Sequence, residues 1–391
     1  MCKLINIAEA KILYMFELQL SIIELIFLIL FALSSLVQLL YYFIFYLRTG
    51  TYSQKSRLDN KEPVSVIICA RNEAENLKLF LPSILEQDYD DFEVIVVNDC
   101  SDDDTEDILK RFSKEYNHLK VTTIHKEASL RHSKKMALFI GIKAASNELL
   151  LLTDADCQPV TKNWISGFAS VFADKNDFVL GYGGYLRQKG LLNRYVRFDT
   201  MFIAMQYLGM ALAGLPYMGV GRNLAYRKSV FIRNKGFGPN INLQSGDDDL
   251  FVNQLARKGN TTVSMDSDTF TRSIPAMTWK EYYKQKIRHM STSPHYRGIT
   301  KALLFTEPLS RTIFYVLLVI LLLLTKLTIP LIIAGGIVLI SKILVFALAQ
   351  KNLNEKDLLL FSLLFDIISP FLNVYFLINS AFKQHQYYEW K

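Results

Sequence analysis

Leu25 to Leu47 is a run of 23 residues without one charge, and it limits what the chain can become more than any other feature. As a helix it extends roughly 35 Å at about 1.5 Å per residue, enough to cross a hydrocarbon core of about 30 Å. The run ends at Tyr41, Tyr42, Tyr46 and Arg48. These are the aromatic and basic residues of a membrane interface rather than the small residues of a cleavage site, so a retained span is predicted. A second apolar region runs from Thr312 to Phe382, broken by Lys326, Lys342 and the polar stretch Gln350 to Asp357. It predicts spans near 309–326, 327–349 and 358–381, with one longer helix as the alternative for the first two.

The chain therefore divides into a lead over 1–20, in which Met15 is an alternative start, a span over 21–48 and a linker over 49–62. A single domain over 63–300 follows, then a membrane region over 301–391 with two or three spans. Arg48, Lys55, Arg57 and Lys61 follow the first span and place the domain on the cytoplasmic side of a multi-pass cell-membrane protein. Lys3 and Lys11 pull the other way. Within the last hairpin Lys342 and Asp366 are costly at membrane depth unless they pair or line a polar path.

The net charge of +7 is spread along the chain without a basic run interleaved with aromatics, so nucleic acid is not an expected partner. Anionic lipid headgroups and substrate phosphates account for the basicity. Cys2, Cys69, Cys100 and Cys157 have no paired spacing and are read as reduced thiols.

From Val64 apolar runs of β type alternate with helical patterns: VSVIICA, a helix from Glu73 to Glu86, FEVIVVN, a helix from Asp104 to Tyr116, LKVTTI, a helix from Lys134 to Ala145, and ELLLLTD. This alternation predicts an α/β domain with a mostly parallel sheet, whose ligands lie outside the carboxyl ends of the strands. The residues just past those ends are Arg71, Asn72 and Glu73, then Asp99, then Asp154 and Asp156. On extended backbone two carboxylates at i and i+2 point the same way. They offer hard oxygens suited to Mg²⁺ or Mn²⁺. Asp102, Asp103 and Asp104 are read as helix-start residues.

The runs VSVIICARNEAENL, VIVVNDCSDDDT and LLLTDADC resemble, in order and spacing, the inverting family-2 glycosyltransferases of the GT-A fold, over about Val64 to Arg288. The pair of aspartates usual after the second strand is here Asn98 and Asp99. The resemblance implies a donor nucleotide site at Ala70, Arg71, Glu73, Asp99, Lys134 and Asp154. Glu73 and Asp99 would touch uridine, and Lys134 would face the phosphates. Asp156 would be the direct metal ligand, with Asp154 on the metal or the ribose.

SGDDDLFVNQLARKG resembles the family's acidic helix start, which implies Asp248 as the catalytic base; one residue of slippage would give Asp247 or Asp249. MGVGRNLAYRKSVF resembles the segment lining the donor and acceptor sugars. Gly219 and Gly221 would admit close backbone approach, and Arg222 and Asn223 would donate hydrogen bonds; a plain turn would also use those glycines. TWKEYYKQKIRHM approaches the QxxRW signature of membrane-bound members. Gln285 and Arg288 would meet diphosphate or acceptor, and His289 replaces the tryptophan. A helix lying on the membrane with Tyr282, Tyr283 and Ile287 inward would suit the same residues. Residues 185–215 are read either as an interfacial helix guiding a lipid-linked acceptor or as a buried core helix.

The expectation is a metal-dependent enzyme that transfers a sugar from a nucleotide sugar, UDP-linked by the resemblance, to a lipid-linked or glycan acceptor at the bilayer. A synthase or export complex is a further partner. A processive polysaccharide synthase and a catalytically silent nucleotide-binding scaffold are the alternatives. A transporter is disfavoured by the few spans around so large a soluble domain.

Overall fold

The computed structural model describes residues 21–53, 62–125, 133–173, 175–240, 243, 245–325 and 327–382. The expectations placed on residues 1–20, including Cys2, Lys3, Lys11 and Met15, and on Lys55, Arg57, Lys61 and Lys326 lie outside the described residues. A first helix, α1, covers Ile22–Gly50 and contains a π-helical turn at Tyr42–Tyr46.

The domain then alternates as its sequence predicts, within one or two residues at each end. Its elements are β1 Val64–Ala70, α2 Ala74–Leu85, β2 Phe92–Asp99, α3 Thr105–Glu115, β3 Leu119–Ile124, α4 Lys134–Ala144 and β4 Leu149–Asp154. All seven residues of β1 are buried, as a strand covered on both faces by helices requires. The chain continues through β5 Cys157–Pro159, α5 Trp164–Ala169, β6 Phe178–Gly181, β7 Gly183–Tyr185, α6 Leu191–Leu212, β8 Leu224–Arg227 and α7 Lys228–Arg233. It then forms α8 Asp249–Leu255, β9 Thr261–Ser264, β10 Thr271–Ser273 and α9 Trp279–Met290.

The main sheet has the order β3-β2-β1-β4-β8-β6-β9. The first four strands are parallel, β8 runs antiparallel to both neighbours, and β6 pairs parallel with β9. Register sets Ala70 beside Asn98 and Cys69 beside Asp154, so these strands end along one edge. A small sheet of order β5-β10-β7 sits beyond that edge. Of the two readings of residues 185–215, the buried one holds: in α6 Tyr195, Phe198, Met201 and Met205 are at most 2% exposed.

Three further helices follow: α10 Gly298–Leu324, α11 Thr328–Asn352 and α12 Leu359–Phe382. With α1, they make four segments long and apolar enough to cross a membrane. α10 begins at Gly298 rather than near 309, and within it Glu307 is buried against Arg311 at 3.2 Å, one turn on. The first two expected spans are separate helices, broken after Thr325, which caps α10.

The pairing expected of Lys342 and Asp366 is present at 2.7 Å, and it is part of a larger set. Asp366 also accepts from Arg311 at 2.8 Å, Tyr315 at 2.6 Å and Tyr42 at 3.3 Å. Asp366→Ala would leave two cations buried without their shared anion, at a cost of about 3–5 kcal/mol. Because Arg311 shares the carboxylate, K342D/D366K restores one pairing and sets a lysine beside an arginine. Thermal unfolding in detergent is expected to show the exchange tolerated no better than Asp366→Ala. Full recovery by the exchange would mean that Arg311 contributes nothing.

The turn between α11 and α12 is fastened to the domain. Glu355, fully buried, accepts from Arg197 of α6, Arg272 of β10 and, at 3.0 Å, the Tyr182 hydroxyl. Asp357 accepts from Arg197 at 2.7 and 2.8 Å, and Arg272 reaches the Leu353 carbonyl at 3.3 Å. Glu355→Ala removes the buried anion that Arg197 and Arg272 share, leaving Arg197 with Asp357 and Arg272 with the Leu353 carbonyl, and is expected to cost about 3–5 kcal/mol. Limited proteolysis of the α11–α12 turn should accelerate; an unchanged rate would show that the turn is held by apolar packing alone.

Candidate active site

β4 ends at Asp154, and Ala155 and Asp156 turn the chain into β5. The two carboxylates therefore come together across a turn and not along an extended strand. Their oxygens and the Cys157 sulfur lie within 4.8 Å of one another. Ser273, in register with Cys157 across the small sheet, donates to Asp156 Oδ2 at 2.9 Å. Asp154 Oδ1 accepts from Lys134 at 2.7 Å.

Burial raises the Asp154 carboxyl, but Lys134 outweighs it and holds the group below its usual range. Asp156 is pushed up by burial and by the neighbouring Asp154. Two half-buried carboxylates that resist common ionisation fit a divalent cation, which would remove the repulsion. Cys157 does not belong to that donor set. Burial, then Asp156 and Asp154, hold its thiol protonated, and it donates to Asp156 Oδ1 at 3.5 Å.

The second carboxylate centre is Asp248, the N-cap of α8. Its Oδ2 accepts from the Gly221 amide at 2.6 Å and its Oδ1 from the Asp249 amide at 2.7 Å. A Cβ at Gly221 would lie 3.2 Å from Asp248 Oδ2, so the glycine admits the carboxylate to the backbone. Burial first, then Asp247 and Asp249, push the Asp248 carboxyl up to about 7, against the opposing pull of Lys134 and the Gly221 amide. The adjacent aspartates are occupied otherwise. Asp247 is buried with its oxygen 3.4 Å from Lys134. Asp249 is buried and accepts from Thr292 at 2.5 Å and Tyr296 at 2.7 Å. Lys134 bridges Asp154 and Asp247, and these charges, with Asp248, overcome its burial and keep the amine firmly protonated.

Arg222 donates to the Gly183 carbonyl at 2.9 Å and to the Tyr185 hydroxyl at 3.0 Å, and Gln285 donates to the same hydroxyl at 2.6 Å. Arg288 and His289 are exposed on the last turn of α9. All of these line one cavity of about 1120 Å³ together with Arg71, Glu73, Lys134, Asp154, Asp156, Gly221, Asp247 and Asp248.

Three expected site residues do not line it. Ala70 is fully buried inside β1. Asp99 is 1% exposed at the end of β2. There the following loop bonds across to the next strand end, Ser101 to the Asn72 amide and Asp103 to the Ala74 amide. Asn223 is fully buried, its amide donating to the Tyr182 and Thr269 carbonyls and accepting from Trp164. It secures the wall and has no donor to offer a sugar. Gly219 also serves packing, since a Cβ there would meet Leu224 at 2.9 Å.

Sequence reasoning missed Ser273, Tyr185 and the buried pair of Lys286 with Asp199 at 2.9 Å in the cavity wall. No local spacing marks them, because each partner comes from a distant segment.

The mostly parallel sheet with a metal-suited carboxylate turn at its edge is the architecture of the GT-A class. A mannosyltransferase from Pyrobaculum calidifontis, solved in complex with GDP-Man and Mn²⁺, superposes with a TM-score of 0.57 at 19% identity, over 92% of this chain and 98% of its own; this likeness is one of fold. The profile of Glycosyl transferase family 2 matches residues 65–234, and that segment is a domain of this family.

Two curated relatives are a poly-beta-1,6-N-acetyl-D-glucosamine synthase of Staphylococcus epidermidis, 33% identical over 102 residues, and glycosyltransferase AglE of Haloferax volcanii, 32% identical over 143 residues. The matched segments are 26% and 35% of this chain. They span only 24% and 45% of those relatives' own lengths.

Proposed function

We propose that the chain is a membrane-embedded, metal-dependent, inverting glycosyltransferase. It uses a nucleotide sugar, UDP-linked in the first instance, and an acceptor presented at the cytoplasmic face of the bilayer. The observation that carries this reading is the placement of Asp248 in the same cavity as Asp154 and Asp156, with the Lys134 ammonium between the two centres.

Inversion is a single displacement at the anomeric carbon, so a base must take the acceptor hydroxyl's proton. Asp248, with its carboxyl near 7, is half in that state at neutral pH. Asp154 and Asp156 would hold Mg²⁺ or Mn²⁺, which when bound supplies the charge that stabilises a leaving diphosphate. Among the described residues the Arg288 guanidinium makes no hydrogen bond or ion pair. It is therefore free to meet the diphosphate, where a planar guanidinium binds phosphate in two-pronged fashion. Arg222 and Gln285, tied through Tyr185, hold their part of the cavity wall fixed. The similarity to the polysaccharide synthase favours a processive variant as the second reading.

The test is incubation of membranes holding the full chain with a panel of labelled nucleotide sugars and Mn²⁺, followed by sizing of the extractable product. Metal-dependent transfer from one sugar donor is expected. Release of nucleotide from none of the panel would refute the reading and leave a silent scaffold. Long polymer in place of a lipid-sized product would establish processivity.

A further inference from the structure

The cavity that holds Asp248 continues between α10 and α12. Phe305, Leu309, Val374 and Leu377 line it there, and each nevertheless keeps between 45% and 62% of its surface exposed on the apolar exterior. Side chains that face both the cavity and the outside mark a gap between two helices, so the cavity opens sideways at the level of the spans.

Just inside the gap the lining turns polar. Glu307 and Arg311 are each 1% exposed, and Asn373 stands on the facing helix. Among the described residues Glu307 Oε1, Arg311 Nε and Asn373 Oδ1 are buried without a hydrogen-bond partner. A buried polar group without a partner is costly, so the site favours a ligand supplying one acceptor and one or two donors. The charges sum to zero: Arg311 and Lys342 against Glu307 and Asp366.

We propose that this pocket binds the headgroup of an uncharged, hydroxyl-bearing glycerolipid whose acyl chains leave through the gap between α10 and α12. A hydroxyl donates to Glu307 Oε1 or Asn373 Oδ1 and accepts from Arg311 Nε–H. A lipid phosphate fits poorly. It would face the open Glu307 oxygen, and three of the four terminal N–H groups of Arg311 are already spent on Asp366, Ser369 and Glu307. The proposal rests on the transferase reading only in making this lipid the acceptor; the binding stands apart from it.

The test uses the full chain in phosphatidylcholine vesicles with two photoactivatable probes, a diacylglycerol and a polyprenyl phosphate, and maps the labelled peptides. The diacylglycerol probe is expected to label α10 and α12 and to be displaced by unlabelled diacylglycerol. L309W/V374W, which narrows the gap from its lipid side, should cut that labelling by about tenfold or more, a difference of about 1.4 kcal/mol. Binding of UDP with Mn²⁺, measured calorimetrically, should stay unchanged and report an intact domain. N373L, a second variant without added bulk at the gap, should weaken labelling as well.

Equal or stronger labelling by the polyprenyl phosphate overturns the proposal. So does labelling that both variants leave untouched, or no displaceable labelling by either probe. If diacylglycerol labels as expected while no nucleotide sugar is consumed, the lipid site stands and the transferase reading falls.

Discussion

Asp248→Asn is expected to lower kcat by about 10²- to 10⁴-fold, the usual contribution of a positioned general base, while leaving nucleotide affinity within about twofold. The amide keeps the shape and the hydrogen bond from Gly221 but cannot accept a proton. The pH profile separates this role from a structural one. A carboxyl raised to about 7 is protonated below that pH and ionised above it. In the parent chain kcat/KM should therefore fall about tenfold per unit as pH drops below 7, and level off above it. In the variant the residual rate should lose that limb. A parent profile that is flat between pH 5 and 8 would remove Asp248 from the role. Asp247→Asn is the informative control, because Asp247 is buried beside Lys134. Its loss should shift the limb to lower pH, since a like charge that raises Asp248 is gone.

Asp156→Ala should lower Mn²⁺ affinity by more than about a hundredfold, beyond the 10- to 100-fold typical of removing a group that only supports a ligand. Ser273→Ala, which removes the hydrogen bond to Asp156 Oδ2, belongs in that smaller range. Fold stability without metal should not suffer, because the substitution relieves the repulsion that raises Asp156 beside Asp154. What should vanish is metal-linked stabilisation, about 2.7 kcal/mol in the parent at a hundred times the dissociation constant. Melting curves with and without Mn²⁺ read this directly, without any sugar donor. A metal-induced shift in Asp156→Ala as large as the parent's would exclude Asp156 as a ligand.

Much of this was legible before any coordinates. The strands were found because a strand buried on both faces must be almost wholly apolar, as in Val64–Ala70, where Ser65 alone is polar, and the turn residues after it are polar. The turn carboxylates and the acidic start of α8 were found because each lies within a few residues of a patterned element. Failures fell where the outcome depends on a neighbour far along the chain. Asn223 reads as a ligand donor in its glycine-rich segment, yet Trp164, 59 residues away, and two distant carbonyls consume its amide. Asp99 ends β2 as Asp154 ends β4, but the loop after β2 bonds across to the segment that starts α2 and Asp99 stays buried. Nothing in the local pattern of the apolar helices showed that Glu307 and Arg311 would join Lys342 and Asp366 in one buried set.

Sequence alone determined the apolar segments, the alternating sheet and the types of residue at its rim, because burial and backbone geometry act through local period and composition. Tertiary structure alone decided which rim residues meet. Ser273 reaches Asp156 across 117 residues, Lys286 reaches Asp199 across 87, and Arg311 reaches Asp366 across 55. Hydrogen bonds and ion pairs act over a few ångströms of space, and sequence distance does not record that separation.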